Sequence, residues 1–373
     1  MEKTWFIERP YPHEKDISSC GVIGMINTDG RRVSGRPLRD AMANMHDRGN
    51  GLGGGFAAYG IYPGWHDHYC LHVMYEDQGR VSSVEAFLYS KFRVDHVEEI
   101  RVAPSRKIRT HPYFRRYFIT SPSADELEAD GVMADAVMEI NQADNGAFVI
   151  SSGKDMGVFK GVGFPEDIYD FFRLEQYEAC IWTAHNRFPT NTPGWWGGAH
   201  PFSLLDWSIV HNGEISSYGI NKRYLEMFGY VCTLQTDTEV VAYLLDLLVR
   251  RHGLSFEQAA AVLAPPLWKD IDAMPAPKRQ EYTKMRMIYG SAALNGPFAF
   301  LLAYSGGLIG LNDRVKLRPL VVARKDATWY MSSEESAIRV IAPDVDELFA
   351  PPAGKPFIIT LERTAASAEL AAG

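Results

Sequence analysis

The sequence lacks any long apolar stretch. No run approaches the ~18 consecutive apolar residues that a membrane-spanning helix requires. Residues 1–19 also lack the apolar segment of a signal peptide, because acidic and basic side chains recur through them. These absences argue against a helical membrane protein and a secreted one, and they predict a cytoplasmic location.

Cysteine is scarce as well. The chain of 373 residues has four cysteines, at positions 20, 70, 180 and 232, and none of them form a C-x-x-C pair. This spacing argues against a disulfide framework. A reducing compartment fits the pattern and would keep a catalytic thiol in its usable form.

Positive charge is in deficit. The formal net charge is −8, which argues against a nucleic-acid-binding protein, since such proteins usually carry a basic surface. The most basic run, residues 91–116, is diluted by acidic residues. It predicts a solvated face or a subunit contact rather than a nucleic-acid site.

One alternating pattern resembles a metal site. A strand would place four potential ligands on one face: His66, His68, Cys70 and His72. The polar face of an edge strand explains the alternation more simply. No metal site is therefore predicted in this chain.

The patterning along the chain predicts one domain with an extension at each end. Residues 1–19 are charged and show no periodicity, so they predict an N-terminal extension or propeptide ahead of a domain over residues 20–363. Predicted strands group at both ends of this domain with helices between them, which indicates an α+β fold. The clearest helix spans residues 237–252, with a capping-box pattern at Thr236 and Glu239. The Ala-rich residues 364–373 predict a frayed tail.

Four short segments carry residues suited to amide chemistry. They are Cys20–Gly24, Arg187–Thr192, His211–Ile215 and Gln235–Val240. The first offers a thiol nucleophile, and the third an Asn-Gly turn that brings a side-chain amide close to a backbone N–H. Amide cleavage needs both, since the thiol attacks the carbonyl carbon and the donors stabilise the resulting oxyanion. A buried strand cysteine and a hairpin turn would explain the two segments separately, so the prediction depends on the combination.

In this order, the four segments resemble the class II glutamine amidotransferases, which are N-terminal-nucleophile hydrolases. The resemblance extends from Cys20 to about Arg339 and includes a late motif at residues 332–337. The run from Arg187 to Phe202 (RFPTNTPGWWGGAHPF) resembles the glutaminase domain of glutamate synthase more than other branches. The resemblance implies a four-layer αββα sandwich, with residues 62–175 as a family-specific embellishment.

The same resemblance implies catalytic residues. Cys20 would be the nucleophile, and cleavage of the Ser19–Cys20 bond would free its α-amino group to act as the base. An α-amine suits this role because its pKa lies at about 7.7–8.0. Asn212, through its side chain, and Gly213, through its backbone N–H, would donate hydrogen bonds to the oxyanion.

Substrate-binding residues are implied in the same way. Arg187 would clamp the α-carboxylate of glutamine, and Asp237 would pair with its α-ammonium group. Thr190 and His200 would line the pocket. A surface ion pair for Arg187 and a helix-dipole contact for Asp237 are the structural alternatives.

The resemblance finally implies a function. The chain would hydrolyse L-glutamine through a γ-glutamyl thioester on Cys20 and deliver ammonia to a separate synthase subunit in a hetero-oligomer. It most resembles the stand-alone glutaminase subunit of a split glutamate synthase or of N-methylglutamate synthase. FMN and an iron–sulfur cluster would belong to the partner, and this chain would hold no cofactor. The alternatives are another acceptor, such as an amidophosphoribosyltransferase-like system, and an unprocessed, catalytically silent regulatory subunit.

Overall fold

The computed structural model describes residues 19–142, 146–189 and 194–362. Within these ranges the strands are β1 Gly21–Asn27, β2 Val33–Ser34, β3 Gly54–Tyr59, β4 Tyr69–Tyr75, β5 Arg93–Glu99, β6 Tyr113–Thr120, β7 Ala147–Ser151, β8 Met156–Gly161, β9 Glu178–Ala179, β10 Ile181–Asn186, β11 Phe202–Leu204, β12 Trp207–Gly213, β13 Phe298–Tyr304, β14 Gly307–Asn312, β15 Val321–Lys325, β16 Thr328–Ser332, β17 Glu347–Phe349 and β18 Phe357–Thr360. The α-helices are α1 Arg36–Asn44, α2 Val81–Lys91, α3 Glu126–Gln142, α4 Pro165–Phe171, α5 Tyr218–Glu226, α6 Asp237–Leu245, α7 Phe256–Leu263, α8 Trp268–Asp272, α9 Ala276–Ile288 and α10 Glu335–Ile341.

Two antiparallel sheets form the centre of the molecule. The larger has seven strands in the order β17-β15-β16-β1-β10-β3-β8, and the smaller has five in the order β11-β12-β13-β14-β18. Strand β1 therefore lies in the middle of the larger sheet, paired with β10 on one side and β16 on the other. At the start of β1, Gly21 pairs with Asn186, the last residue of β10.

The two sheets pack face to face through a buried apolar layer. Val22 and Ile26 of β1 belong to the same core cluster as Val210 of β12 and Leu301 of β13. Gly24 lies where the sheets approach closely, since a Cβ there would be 3.0 Å from Leu308. The absence of a side chain in the middle of β1 therefore allows the sheets to meet.

Helices cover the outer face of each sheet. On the larger sheet, α1, α4 and α10 bury residues such as Leu38, Ile168 and Ile338 in a second core cluster. On the smaller sheet, α5, α6 and α7 bury residues such as Leu225 and Leu244 in a third cluster. The order helix, sheet, sheet, helix is the αββα sandwich, and the α+β prediction is confirmed.

A third sheet extends this sandwich. It has four strands in the order β5-β6-β4-β7, and helices α2 and α3 pack against it. These elements fall inside the predicted 62–175 embellishment, but the structure narrows that range. Strand β8 is an edge strand of the larger sheet and α4 covers that sheet, so both belong to the sandwich itself.

Part of the basic run at residues 91–116 lies in β-strands. It contains β5 and the start of β6, which pair with each other. Arg116 is bonded to Glu98 on the neighbouring strand at 2.7 Å and to the hydroxyl of Tyr177 at 2.8 Å. The charge of Arg116 is thus compensated within the fold. No helix in the described part of the chain is long and apolar enough to cross a membrane.

The helix that begins at Asp237 differs in detail from its prediction. The α-helical part ends at Leu245, and a π-helical segment continues over Asp246–Arg251. The hydroxyl of Thr236 accepts a hydrogen bond from the Glu239 N–H at 3.2 Å, as a cap should. The Glu239 carboxylate, however, accepts from the N–H groups of residues 233 and 234, so the capping box is only half formed.

Candidate active site

Cys20 lies immediately before the central strand β1, at one end of both sheets. The backbone of β1 is fixed there by Ser333, whose hydroxyl accepts a hydrogen bond from the Val22 N–H at 3.2 Å. The N–H of Phe188 donates to the Cys20 sulfur at 3.3 Å. Burial raises the pKa of the Cys20 thiol, while the Phe188 N–H and the nearby Arg187 guanidinium act in the opposite direction. Both of these groups favour the thiolate, which is the nucleophilic form.

Asn212 and Gly213 end strand β12, close to the residue before the thiol. Asn212 is fully buried, and its Oδ1 accepts a hydrogen bond from the Ser19 hydroxyl at 3.3 Å. Its Nδ2 has no hydrogen-bond partner among the described residues. A buried donor left unpaired is costly in free energy unless a ligand satisfies it. The side-chain amide is therefore available to an incoming oxygen atom.

Gly213 has a conformation that excludes other residues. Its φ angle is +141°, and a Cβ at this position would overlap the carbonyl oxygen of Pro297. The backbone here must pass close to the segment that enters β13, and only glycine can do so. The turn that carries the two potential donors is thus fixed by local sterics.

Arg187 follows strand β10 and is almost completely buried. Its backbone N–H donates to the carbonyl oxygen of Gly53 at 2.9 Å. Burial lowers the pKa of its guanidinium, and the nearby Cys20 and Asp237 partly offset that effect. A Cβ at Gly53 would lie only 2.8 Å from the Arg187 side chain, so the glycine-rich turn before β3 makes room for the arginine.

Asp237 begins helix α6 on the other side of the same cavity. Its Oδ2 accepts the N–H of Ile215 at 2.9 Å, and its Oδ1 accepts the Thr238 hydroxyl at 3.2 Å. Burial acts to raise the pKa of this carboxyl, but His211 together with these hydrogen bonds lowers it overall. Asp237 is therefore held as an anion beside a cavity that also contains a cation.

His200 belongs to a buried histidine cluster at the wall of the cavity. Its Nε2 lies 2.8 Å from the Thr238 hydroxyl, and its ring stacks on that of His185 at 3.9 Å. His211 Nδ1 contacts the same hydroxyl at 3.1 Å. Burial, together with the neighbouring histidines and cations, places the pKa of His200 well below its ordinary value. The neutral ring serves as packing and hydrogen-bonding support for the start of α6.

A cavity of about 810 Å³ joins most of the predicted site residues. Its lining includes Cys20, Arg187, His200, Gly213 and Asp237, while Asn212 lies buried beside Gly213. Thr190 falls outside the described residues, so its predicted position stays a prediction. The lining also includes residues that the sequence analysis did not single out: Tyr218, Lys222 and Thr233.

The alternating histidines do not share a surface. His66 and His68 precede strand β4, whereas His72 is buried within it. The His72 ring is bonded to the Tyr62 hydroxyl at 2.8 Å and to the Val158 carbonyl at 3.0 Å. Within the described ranges, no group of three or more His, Cys, Asp or Glu side chains is arranged to hold a metal ion.

Comparison with known proteins gives the family. The model of the class II glutamine amidotransferases matches residues 91–366, well over half of the chain. The chain belongs to the class II glutamine amidotransferases. It is therefore an enzyme of glutamine amide transfer, as the four segments predicted.

Proteins from several organisms align with most of the length of this chain. A protein of uncharacterized function from Archaeoglobus fulgidus is 54% identical over 351 residues, which is 92% of this chain and 93% of that protein. The glutamine amidotransferase-like protein GlxB of Rhizobium meliloti is 24% identical over 88% of this chain and 93% of its own length. Among solved structures, the glutamine phosphoribosylpyrophosphate amidotransferase of B. subtilis, complexed with ADP and GMP, aligns with a TM-score of 0.48 and 16% identity. That alignment covers 91% of this chain and 47% of the solved one, so the chain spans about half the length of that structure.

Proposed function

We propose that the cavity at Cys20 binds L-glutamine and that Cys20 attacks its side-chain amide. One observation carries this proposal: a thiol, a buried guanidinium and an anionic carboxylate line a single cavity beside an unpaired amide donor. Glutamine offers a matching set of groups, namely a carboxylate, an ammonium group and an electrophilic amide carbon.

Arg187 and Asp237 would bind the amino-acid end of the substrate. The planar guanidinium of arginine matches the geometry of a carboxylate and can donate two parallel hydrogen bonds to it. Asp237 remains ionised because His211 and two donors stabilise its charge, so it can pair with the ammonium group. His200 would act indirectly, by holding Thr238 and thus the first turn of α6. Thr190 would contribute to the pocket wall.

The chemistry would proceed through a covalent intermediate. Attack of the Cys20 sulfur on the amide carbon places negative charge on the carbonyl oxygen, which the Asn212 side chain and the Gly213 N–H would stabilise. Collapse releases ammonia and leaves a γ-glutamyl thioester, which water hydrolyses to glutamate. The base would be the α-amino group of Cys20, and it becomes available only after the Ser19–Cys20 bond is cut.

The ammonia would pass to a separate synthase subunit of the glutamate synthase type. The likeness of residues 187–202 to the glutaminase domain of glutamate synthase supports this acceptor, and FMN and an iron–sulfur cluster would belong to that partner. The described residues include the sandwich and its third sheet, and the cavity at Cys20 is lined by the groups proposed to bind glutamine. The nitrogen acceptor would then bind outside the described residues.

A comparison of two nitrogen sources tests the proposal. Cys20→Ser should abolish glutamine-dependent activity and leave the ammonia-dependent activity of a partner intact, since the thiol is needed only to release nitrogen from glutamine. Glutaminase turnover above a few per cent of wild type in this variant would contradict the assignment of Cys20.

Co-purification from the native source tests the acceptor. A flavin absorbance band in the complex, with glutaminase activity stimulated by 2-oxoglutarate, supports a glutamate synthase-type partner. A stable complex without flavin indicates another acceptor. A chain that keeps residues 1–19 and never hydrolyses glutamine indicates a silent regulatory subunit.

A further inference from the structure

The peptide group between Ser19 and Cys20 is bound by one arginine. Arg48 Nε donates a hydrogen bond to the Ser19 carbonyl oxygen at 3.1 Å. Its Nη2 donates to the Ser19 hydroxyl and also lies 3.4 Å from the Cys20 carbonyl oxygen. Arg48 therefore contacts both carbonyl groups that flank the nucleophile.

Glu334 fixes the orientation of this guanidinium. Arg48 Nη1 forms an ion pair with Glu334 Oε1 at 2.5 Å, and both side chains are partly buried. The backbone of Glu334 is itself held, since its N–H donates to the Ser332 hydroxyl at 3.1 Å. Ser332 ends β16, the strand that pairs with β1. The arginine is thus anchored to the same sheet that carries the thiol.

The Ser19 side chain has two further contacts. Its hydroxyl donates to Asn212 Oδ1 at 3.3 Å and accepts a long contact of 3.5 Å from Arg318 Nη1. The peptide bond ahead of Cys20 is therefore fixed by groups from three separate parts of the chain. Such a fixed peptide, with a thiol on one side and a cationic donor on its carbonyl oxygen, has the parts needed for its own cleavage.

We propose that Arg48 is a catalytic residue in self-cleavage of the Ser19–Cys20 bond, where it stabilises the negative charge that forms on the Ser19 carbonyl oxygen. This role precedes glutamine hydrolysis and is separate from it. A simple structural role, in which Arg48 only pairs with Glu334, does not require its Nε to face the Ser19 carbonyl.

Cleavage of the Ser19–Cys20 bond consumes one water molecule and no other reactant. The Cys20 sulfur bonds to the carbonyl carbon of Ser19 as the thiol loses its proton. The carbon–nitrogen bond then breaks, and the Cys20 nitrogen takes up a proton and becomes the free α-amine. The thioester between the Ser19 acyl group and Cys20 is hydrolysed, which leaves a carboxylate on Ser19 and restores the thiol. Arg48 remains beside the new amine, where its positive charge disfavours protonation and so favours the basic form.

Time-resolved intact-mass spectrometry of the chain made by cell-free synthesis tests this proposal. The wild type should convert to a chain that starts at Cys20, and Cys20→Ala should remain uncut. We expect Arg48→Gln to slow conversion by about a hundredfold or more, as loss of one oxyanion donor does in other enzymes. Arg48→Lys, which keeps the charge but not the planar fork, should give an intermediate rate.

A matched control and a rescue experiment exclude a general effect on folding. Arg39→Gln removes another partly buried arginine, which pairs with Asp170 away from the cavity, and it should mature at the wild-type rate. Guanidinium ion added to Arg48→Ala should restore cleavage, because it replaces the missing group, whereas a chain that had failed to fold would gain nothing. Thermal denaturation of each uncut variant reports its folding directly.

Several outcomes would overturn the proposal. Wild-type chain that keeps the Ser19–Cys20 bond, Arg48→Gln that matures at the wild-type rate, or Cys20→Ala that is still cut would each do so, the last by indicating an external protease. A chain released from a fusion with Cys20 as its first residue provides the separate check on glutamine hydrolysis. If that chain is active while the full chain is never cut, the self-cleavage proposal fails and the proposed function stands.

Discussion

Asp237 and Ile215 are joined by a hydrogen bond of 2.9 Å, in which the backbone N–H of Ile215 donates to the carboxylate. This bond links the first residue of α6 to the turn that follows Gly213. The proposed ammonium-binding group and the proposed oxyanion donors therefore belong to one connected unit. A change at Asp237 tests the substrate contact and this connection together.

Asp237→Asn should raise the glutamine KM strongly. The variant loses the charge that would pair with the ammonium group but keeps an oxygen that can accept the Ile215 N–H. Loss of a charged hydrogen bond worth about 1.5–3 kcal/mol corresponds to roughly a ten- to hundredfold weaker interaction. Steady-state kinetics of the mature enzyme, with thermal denaturation alongside, measures both effects. Glu257→Gln, at the exposed start of α7, is the matched control. A normal KM with a lowered melting temperature would instead assign Asp237 a structural role.

Arg187→Ala should also raise the glutamine KM strongly, and Arg187→Lys should raise it less. Lysine keeps the positive charge but cannot donate two parallel hydrogen bonds to a carboxylate. Binding of glutamine is then compared with binding of an amide analogue that lacks the α-carboxylate. If Arg187 contacts that carboxylate, the variants should bind the analogue about as well as the wild type does. Arg324→Lys, which alters a surface ion pair with Glu347, is the control and should change neither the glutamine KM nor the binding of the analogue. Normal glutamine binding by both Arg187 variants contradicts the proposed carboxylate contact.

Alkylation should single out Cys20 among the cysteines. Burial raises the pKa of all four thiols, but Cys20 is partly exposed at the cavity, whereas Cys70, Cys180 and Cys232 are buried and so stay unreactive in the folded protein. Peptide mapping after brief treatment of the mature enzyme with iodoacetamide should find the label on Cys20, and glutamine should protect it. Serine at each of the other three positions should leave glutamine hydrolysis largely intact. Labelling of Cys232, which also lines the cavity, with loss of activity would point to a different nucleophile.

Buried histidines should make the fold sensitive to acid. Burial lowers the pKa of His72 and of His185 from the ordinary value of 6.5 to about 3. Between these two values the unfolded chain binds more protons than the folded one. The stabilising contribution is thus complete above pH 6.5 and is lost as the pH falls towards 3. Each histidine contributes a slope of about 1.4 kcal/mol per pH unit at most.

His72→Gln should reduce that slope by about one proton. Urea-induced unfolding measured at several values between pH 4.5 and 8 gives the unfolding free energy at each pH. The variant should be less stable than the wild type near neutral pH, because His72 bonds to Tyr62 and Val158, yet its stability should fall less steeply in acid. Equal slopes for His72→Gln and wild type would show that His72 does not titrate with unfolding.

The four segments that carry the proposed site residues can be recognised in the sequence because each is local. A thiol before an apolar strand, an Asn-Gly turn and an acid at a helix start are readable within a few residues. The same holds for strands with clear apolar runs, such as β13, whose seven residues from Phe298 to Tyr304 predict a buried strand. By contrast, β5 and β6 were not predicted, because the charged residues that pair across them, such as Arg116 and Glu98, conceal the alternation.

Arg48 was not predicted for a different reason. Its partners Ser19 and Glu334 are 29 and 286 residues away along the chain, and only the pairing of β1 with β16 brings the two ends together. Glu239 shows a related difficulty. Its spacing from Thr236 fits a capping box, but the chain before the helix folds back and offers two other N–H groups to its carboxylate. Contacts that depend on the path of a loop cannot be inferred from spacing alone.

The central position of β1 has a consequence for how the enzyme loses activity. A strand with partners on both sides and apolar layers on both faces exchanges its amide hydrogens through the least frequent openings of a fold, whereas edge strands exchange through local fraying. Local opening of β8 or β17, the two edge strands of the larger sheet, would leave the position of the Cys20 thiol unchanged. Glutamine hydrolysis should therefore decline with cooperative unfolding of the whole sandwich on heating, and residual turnover then measures the population of intact molecules.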